Sequence, residues 1–326
     1  MAHQIRVLSE EDVRSALSME EAIDVMAKAF AQLSNGSLSM PVRMVSHFDD
    51  TMLFYKPAAS KNEDIIGVKL LTQVSSNRER SLPVIQGIIV LTDYHNGRFL
   101  ALMDGTHITS LRTGATSGLA TKWLSREQAK VAAIFGAGAQ GRTQLSAICK
   151  VRAIEKAYIF DINAEAISAY IYEMQPVCNA KLIPGSTLDV LKEVDIICTA
   201  TDSSKPLFNM SHLKKGVHIN AIGSFRPCMT EIEEDVMVQA KVYVDHKESA
   251  LAESGDLINP VLSGVIAESH IVGEIGALIN GQIQGRTDEE EVTVFKSVGV
   301  AVQDLAAAYA VYQSAIINNL GQMIHL

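Results

Sequence analysis

The chain has 326 residues, of which 48% are hydrophobic and 20% are charged, and its formal net charge is −9. A chain of this length buries a large core and is expected to form two domains. The acidic balance and the lack of a dense Lys/Arg tract argue against a nucleic-acid partner and an anionic membrane surface, and no apolar run approaches the roughly 20 residues that a membrane span needs.

The four cysteines are scattered along the chain without a C-x-x-C pair, at Cys149, Cys178, Cys198 and Cys228. This pattern is typical of inert thiols and predicts neither a disulfide framework nor a zinc site. We therefore expect no bound metal. The N-terminal sequence is not that of a signal peptide, so a cytoplasmic protein is expected.

The first third of the chain reads as one helix followed by a sheet. Ser18 and Glu21 form a capping box, apolar residues then recur at helical spacing, and Asn35-Gly36 ends the helix. Five short β-like runs separated by turn signals predict a mostly antiparallel sheet, at residues 42–48, 52–55, 65–71, 84–91 and 99–103. A second helix is expected over 108–124.

From Lys130 onward the pattern changes to an alternation of strands and helices. The strand candidates are residues 131–135, 157–160, 195–199, 217–222 and 242–244. This alternation predicts a Rossmann-type doubly wound parallel sheet beside a second, α+β domain. The last helix is predicted from Ser297 to about Asn319. We expect residues 1–121, joined by 303–326, to form the substrate-binding and dimerisation domain, and 122–302 to form the dinucleotide-binding domain.

A glycine motif follows the apolar run 131–135 and opens a helix over 139–149, with Ala139 and Gln140 between its glycines. Gly136 permits a tight turn, Gly138 lets the backbone approach a pyrophosphate, and Gly141 lets the helix pack closely on the sheet. The positive end of the helix then faces the phosphates. This context predicts a dinucleotide site; the alternative is a glycine-rich connection without a ligand.

Asp161 stands twenty residues beyond Gly141, after a second apolar run. A carboxylate there accepts hydrogen bonds from the adenosine ribose hydroxyls and repels a 2′-phosphate. Because no Arg or Lys occurs in 162–165, the sequence favours NAD over NADP. The alternative role, an N-cap for a helix over 164–172, is compatible with cofactor binding.

Three further motifs, at residues 111–117, 252–256 and 292–299, stand in order around the glycine motif. Together they resemble the ornithine cyclodeaminase/μ-crystallin family over essentially the whole chain. The resemblance implies a nicotinamide dinucleotide in a Rossmann domain and an amino or imino acid held against a second domain. It also implies a homodimer, with the N-terminal domain and the last helix at the interface.

The resemblance assigns a substrate carboxylate to a basic cluster, matched here by Arg43, Lys69 and Arg112. Guanidinium groups bind carboxylates through two parallel hydrogen bonds, whereas an ammonium acts as a point charge. Lys69 lies in an apolar run, and burial would lower its pKa and suit it to proton transfer. Lys69 and Arg112 are thus the catalytic candidates. The alternatives are a solvent-facing strand lysine, an ordinary helix arginine and a surface Arg43.

The resemblance also extends the cofactor site beyond the glycine motif and Asp161. The matching positions are Arg112, Thr113, Thr199, Ile222, Gly223, Ser224, Phe225 and Ser297.

The segment 220–227 departs from one branch of the family. Ornithine cyclodeaminases carry an aspartate where this chain has Phe225, and it is assigned the proton transfers of ammonia loss and ring closure. A phenyl ring transfers no proton, so Phe225 favours the reductase and dehydrogenase members. The nearby Glu231 and Asp235 are assigned to the start of a helix. Asp304 resembles an acid in the family's last helix, and both a structural role and a catalytic role are open for it.

The sequence therefore favours an NADH-dependent reductase of a cyclic imino acid, of the 1-pyrroline-2-carboxylate or ketimine type, giving an L-amino acid such as proline. An open-chain amino-acid dehydrogenase of the alanine type is the first alternative, followed by an ornithine cyclodeaminase. A non-enzymatic binding protein is the alternative from a different class.

Overall fold

The computed structural model describes residues 4–80 and 82–325. These residues form two compact units. One contains the described residues up to Arg112 and from Val300 onward, and the other is Thr113–Gly299. The division thus falls within the helix predicted at 108–124, ahead of the predicted border after residue 121. The functional roles of the two domains remain predictions.

Strands and helices follow one another along the described chain. The strands are β1 Gln4–Leu8, β2 Leu38–Ser39, β3 Met44–Phe48, β4 Thr51–Ser60, β5 Ile65–Val74, β6 Ile85–Asp93, β7 Phe99–Asp104, β8 Val131–Phe135, β9 Lys156–Phe160, β10 Lys181–Pro184, β11 Ile196–Thr199, β12 His218–Ala221, β13 Lys241–Val244, β14 Ile271–Glu274, β15 Thr293–Lys296 and β16 Gln322–His325. The α-helices are α1 Glu10–Ala16, α2 Met19–Ser34, α3 Gly105–Leu124, α4 Ala139–Val151, α5 Ala164–Met174, α6 Glu234–Gln239, α7 Lys247–Glu253, α8 Gly255–Leu262, α9 Ile275–Ile279 and α10 Ala301–Ile317. Short 3₁₀ helices lie at Ser75–Arg80, Leu188–Glu193, Met210–His212 and Glu268–His270.

The first unit is built on a sheet with the order β16-β1-β7-β6-β5-β4-β2, in which β3 also pairs with β4. Only the β1/β7 pair is parallel in this described sheet, which confirms the mostly antiparallel prediction. Helix α10 packs on α2 and on the face formed by β4, β5 and β6. The predicted capping box is present, since the Ser18 backbone N–H donates to Glu21 and the Ser18 hydroxyl accepts from the Glu21 N–H.

Two boundary predictions in this unit are wrong. The N-terminal segment begins with strand β1, which pairs with β7 and β16, and not with a helix. The last helix begins at Ala301 rather than at Ser297. Residues before it cannot be helical because Gly299 has φ +77° and because the Val298 and Gly299 N–H groups are turned onto the Asp245 carboxylate, both at 2.9 Å.

The second unit contains an eight-stranded sheet with the order β10-β9-β8-β11-β12-β15-β13-β14, and every pairing in it is parallel. The predicted doubly wound parallel sheet is confirmed. Strands β10, β14 and β15 are absent from the sequence prediction. The chain order changes direction between β8 and β11, which is where such sheets bind ligands at the carboxyl ends of their strands.

The core of the second unit lies on both faces of this sheet. Successive residues of β8 alternate between the faces, so that Ala132 and Ile134 pack on the side of α4 and α5, whereas Ala133 and Phe135 pack on the other side. Cys178 and Cys198 are buried, as expected of inert thiols, whereas Cys228 is exposed. Among the described residues, no helix combines the length and apolar character needed to cross a membrane.

Candidate functional site

The glycine turn between β8 and α4 has the geometry that its sequence predicts. Gly136 has φ +101°, and a Cβ at this position would lie 2.5 Å from the Ala200 carbonyl oxygen. Gly138 is the exposed N-cap of α4, and no atom lies within 4 Å of where its Cβ would be. A Cβ on Gly141 would lie 2.0 Å from the Gly136 carbonyl oxygen. The open space in front of the N-terminus of α4 suits the phosphates of a dinucleotide.

Asp161 lies directly after β9 and contacts this turn. One carboxylate oxygen accepts a hydrogen bond from the Ala137 N–H at 2.7 Å, and the other accepts one from the Asn163 N–H at 2.9 Å. The N-cap alternative is wrong because Asn163 is the N-cap of α5. The acid therefore stands at the position where Rossmann folds bind the adenosine ribose.

Three of the four hydroxyl residues assigned to the cofactor have buried side chains that donate to protein acceptors. The Thr199 hydroxyl donates to Glu231 at 2.7 Å, and the Ser224 hydroxyl donates to the Met229 carbonyl at 2.7 Å. Ser297 lies after β15, and its hydroxyl donates to Asp245 at 2.7 Å. These side chains therefore hold the loops at the strand ends.

The remaining predicted cofactor residues lie on α3, on α4 and after β12. Thr113 is buried on α3, and Ala139 and Gln140 form the first turn of α4. Ile222 is buried, and its N–H donates to the Thr199 carbonyl at 2.9 Å. Phe225 is half-buried and has the Arg226 guanidinium 5.2 Å from its ring centroid.

The assignment of Glu231 to a helix start is wrong, whereas Asp235 does lie in the first turn of α6. Glu231 is fully buried ahead of that helix, and its carboxylate accepts hydrogen bonds from the loops that follow β11 and β12. Burial and the charge of Asp256 raise the pKa of Glu231, against the opposing charge of Lys296.

In the first unit, Lys69 and Asp304 form a buried ion pair. The Lys69 ammonium donates to Asp304 at 2.7 Å and to the Thr109 hydroxyl at 3.0 Å, and Lys69 is 1% exposed. The solvent-facing alternative is therefore wrong. Burial lowers the pKa of Lys69 to about 8, although the charge of Asp304 opposes this shift.

Arg112 joins the same carboxylate from α3. Its Nε donates to the Asp304 oxygen that Lys69 contacts, at 3.0 Å, and its Nη1 donates to the Gln303 amide oxygen at 2.9 Å. Burial alone would raise the pKa of Asp304, but the charges of Arg112, Lys69 and Lys56 outweigh it and lower the pKa to about 2. Asp304 is thus an anion that the two predicted cations share.

Lys56 is a member of this cluster that the sequence prediction missed. It stands directly across the β4/β5 pair from Lys69 and is 6% exposed. Burial and the charge of Lys69 hold its pKa well below the usual lysine value. The alternation of β4 contains a signal for it, since Lys56 is in phase with the buried Phe54 and Ala58.

Arg43 lies at the edge of the cluster, just before β3. It is half-buried, with its guanidinium carbon 5.3 Å from the centroid of the Phe54 ring. Its positive charge contributes to the lowered pKa values of Lys69 and Lys56. The structure therefore brings all three predicted substrate-binding cations of this unit into one electrostatic neighbourhood.

The parallel sheet, the glycine turn at its switch point and the acid after β9 define a Rossmann-type dinucleotide-binding fold. This fold is combined with a unit that carries a buried, predominantly cationic cluster. The chain belongs to the ornithine cyclodeaminase/mu-crystallin family, whose model matches residues 3–319.

Similar proteins cover nearly the whole chain. A Delta(1)-pyrroline-2-carboxylate reductase from Bacillus cereus is 37% identical over 322 residues, which cover 98% of this chain and 99% of that protein. The structure of Thermococcus litoralis Delta(1)-pyrroline-2-carboxylate reductase in complex with NADH and L-proline matches with a TM-score of 0.94 and 36% identity, covering 98% of this chain and 99% of that chain. An archaeal alanine dehydrogenase dimer with bound NAD matches with a TM-score of 0.93 and 31% identity, at the same coverage.

Proposed function

We propose that this protein is an NADH-dependent reductase of cyclic imino acids of the 1-pyrroline-2-carboxylate type, with an L-amino acid such as L-proline as the product. The observation that carries the proposal is the full-length similarity, in sequence and in structure, to reductases of this name. The retained cationic cluster around Asp304 agrees with a substrate that carries a carboxylate.

The cofactor is proposed to bind along the carboxyl ends of the parallel strands. Gly136, Gly138 and the first turn of α4 would hold its pyrophosphate, and Asp161 would hold its adenosine ribose. When bound, the dinucleotide supplies the hydride. The remaining chemistry, which is binding the carboxylate and supplying a proton, falls to side chains of the first unit.

Arg112 and Lys69 are proposed to bind the substrate carboxylate, with Arg43 adding positive charge. The two cations share the single negative charge of Asp304, so Arg112, Lys69 and Asp304 together carry a net positive charge. A buried positive charge attracts an anion more strongly than an exposed one because the local dielectric constant is low. Asp304 meanwhile fixes the direction of both side chains, since each donates to the same oxygen.

Lys69 is also the proposed proton donor to the imine nitrogen. With a pKa of about 8, its ammonium group is charged at neutral pH and yet loses its proton far more readily than an exposed lysine. Phe225, in place of an acid, provides no group for ammonia elimination. The combination favours reduction of an imine over cyclodeamination.

An open-chain amino-acid dehydrogenase is the second candidate, because the alanine dehydrogenase structure is nearly as similar as the reductase. The two functions are separated by following NADH oxidation with 1-pyrroline-2-carboxylate and, separately, with pyruvate plus ammonia. We expect the higher kcat/KM with the cyclic imine. A higher value with pyruvate and ammonia would make the protein a dehydrogenase, and rapid proline and ammonia formation from ornithine would make it a cyclodeaminase.

The protein is further proposed to be a homodimer, through the outer face of the antiparallel sheet. One cross-strand row on this face is apolar and consists of Met44, Tyr55, Leu70 and Ile88. Met44 is 62% exposed and Ile88 is 43% exposed in the single chain. Exposed apolar side chains in such a row are typical of an interface, and a second copy is the proposed partner. Helix α10, which was also expected there, packs its apolar side within its own unit.

A further inference from the structure

Two of the sequence motifs that carry the family resemblance, at 252–256 and 292–299, have no part in the chemistry proposed above. Each motif contains a residue, Asp256 or Lys296, that supports one buried carboxylate, that of Glu231. The loops after β11 and β12 meet around this residue at the carboxyl ends of the strands, where a dinucleotide is expected to bind.

Glu231 accepts five hydrogen bonds, which come from the last residue of β11 and from the loops after β11 and β12. Its Oε2 accepts from the Thr199 hydroxyl at 2.7 Å, from the Gly223 N–H at 2.7 Å and from the Ser224 N–H at 3.2 Å. Its Oε1 accepts from the N–H and the hydroxyl of Thr201, both at 2.7 Å. One carboxylate therefore joins the loop after β11 to the loop after β12.

Glycines allow these loops to lie this close together. A Cβ on Gly223 would be 2.2 Å from the Thr201 carbonyl oxygen and 2.5 Å from Glu231 Oε1. On the other side, a Cβ on Gly136 would be 2.5 Å from the Ala200 carbonyl oxygen. The loop after β11 is thus held between the glycine turn and Gly223, and its shape depends on the carboxylate beneath it.

Glu231 is held in turn by Asp256 of the motif at 252–256, which itself binds Lys296 of β15. Asp256 Oδ1 accepts from the Glu231 N–H at 2.7 Å and from the Ile232 N–H at 3.1 Å, while Asp256 Oδ2 accepts from the Lys296 ammonium at 3.0 Å. A Cβ on Gly255 would lie 2.0 Å from the Met229 carbonyl oxygen. Lys296 and Asp256 are fully buried, so this support is a fixed part of the unit.

We propose that Glu231 is a positioning residue for the cofactor, which holds the loops after β11 and β12 in the shape that receives the nicotinamide half of NADH. The inference rests on the proposed use of NADH. Asp161 and the glycine turn belong to the half of the sheet that binds adenosine, whereas β11 and β12 belong to the second half. Loss of the carboxylate should therefore affect the two ends of the cofactor unequally.

The test compares the binding of NADH and of ADP to the full-length protein and to Glu231→Gln. Glutamine keeps the shape and one acceptor oxygen, but it turns an NH₂ group toward converging donors. We expect NADH to bind about tenfold more weakly or worse, because several charge-assisted hydrogen bonds to the loops are lost. The affinity for ADP, measured by calorimetry, should change by no more than about twofold, so that the ratio of the two affinities shifts.

Asp195→Asn is the matched control. Asp195 is also buried and also accepts several hydrogen bonds, from the N–H groups of Lys130 and Val131 and from Lys214. It ties the amino ends of β8 and β11 together, away from the cofactor loops. This variant should lose thermal stability and keep the NADH-to-ADP affinity ratio of the wild type.

Equal losses of NADH and ADP affinity in Glu231→Gln, or a ratio shift of the same size in Asp195→Asn, would overturn the proposal, as would wild-type NADH binding by Glu231→Gln. If Glu231→Gln does not fold, Thr201→Val, which removes one of the five donors, should shift the ratio in the same direction by a few fold, and an unshifted ratio would overturn the proposal. Neither binding assay needs an imine. A wild-type protein that binds NADH but reduces no imine would therefore refute the proposed function and still decide the role of Glu231.

Discussion

At the scale of single residues, Asp304 determines how the cations of the first unit behave. It holds Lys69 and Arg112 in place through one oxygen, and its charge keeps the pKa of Lys69 from falling further under the effect of burial. A buried pair of this kind contributes little to stability, but it fixes geometry when both partners are kept.

The alkaline limb of the pH profile should report on Lys69. Its ammonium form exists below its pKa of about 8, so kcat/KM for 1-pyrroline-2-carboxylate should fall as the pH rises through that value. The Lys69→Arg variant keeps its positive charge at high pH, so its kcat/KM should no longer fall in this range, although a lower rate is expected. Lys61→Met, at an exposed lysine, is the control. A wild-type profile that stays flat between about pH 7 and pH 10 would contradict the assignment.

Arg112→Ala should lower kcat/KM for the imino acid by roughly tenfold to hundredfold, because a charge-assisted contact to a carboxylate is worth about 1.5–3 kcal/mol. The charge of Arg112 also lowers the pKa of Lys69, so the alkaline limb of this variant should move to higher pH. Arg98→Ala, on the exposed turn before β7, should leave both quantities unchanged. Unaltered kinetics in Arg112→Ala would remove this residue from the site.

Asp161 should make the enzyme prefer NADH to NADPH. Asp161→Ala removes the charge that repels a 2′-phosphate, and the ratio of kcat/KM values for the two cofactors should move toward unity. Glu165→Gln, which removes an exposed charge from the first turn of α5, is the matched control. A wild-type enzyme with the higher kcat/KM for NADPH would contradict the prediction.

At the scale of elements, two glycines of the turn between β8 and α4 serve different purposes, one in NADH binding and the other in stability. Gly138→Ala places a methyl group in open space, so its melting temperature should change by no more than about 1–2 °C, whereas NADH binding should weaken by roughly tenfold because the backbone can no longer approach the phosphates. Gly141→Ala forces a Cβ to within 2.0 Å of a backbone oxygen and should lower the melting temperature by several degrees. Differential scanning fluorimetry and NADH titration measure both. The opposite ranking of the two variants would refute this account of the turn.

Elements with a clear apolar run and flanking turn signals could be predicted from the sequence. The five predicted strands of the first unit correspond to β3 through β7, because turn signals bound them on both sides. Strands β1 and β16 were missed, and they pair with each other from opposite ends of the chain, a contact that no local pattern reveals. The predicted last helix was extended back to Ser297, and the positive φ of Gly299 together with the contacts of Asp245 shows that the helix starts later.

At the scale of the whole molecule, the exposed apolar face of the antiparallel sheet predicts the oligomeric state. Light scattering at micromolar concentration should give twice the chain mass of 35.3 kDa. The double variant Ile66→Glu/Ile88→Glu should give monomers, because charges at an apolar interface are desolvated without partners. Tyr172→Glu, at a position 84% exposed in the other unit, should remain dimeric. A monomeric wild-type protein would contradict the prediction.

Lys69 and Arg112 became site candidates only through the resemblance to the family, whereas the sequence by itself determined the fold class and the glycine turn. These features depend on local periodicity, on turn residues and on short spacings, all of which can be read along the chain. Only the tertiary structure decided that Lys56 faces Lys69 across β4 and β5, and that Glu231 joins the loops after β11 and β12. Such contacts unite residues far apart in the sequence, and burial together with neighbouring charges, rather than any local pattern, shifts the pKa of each group.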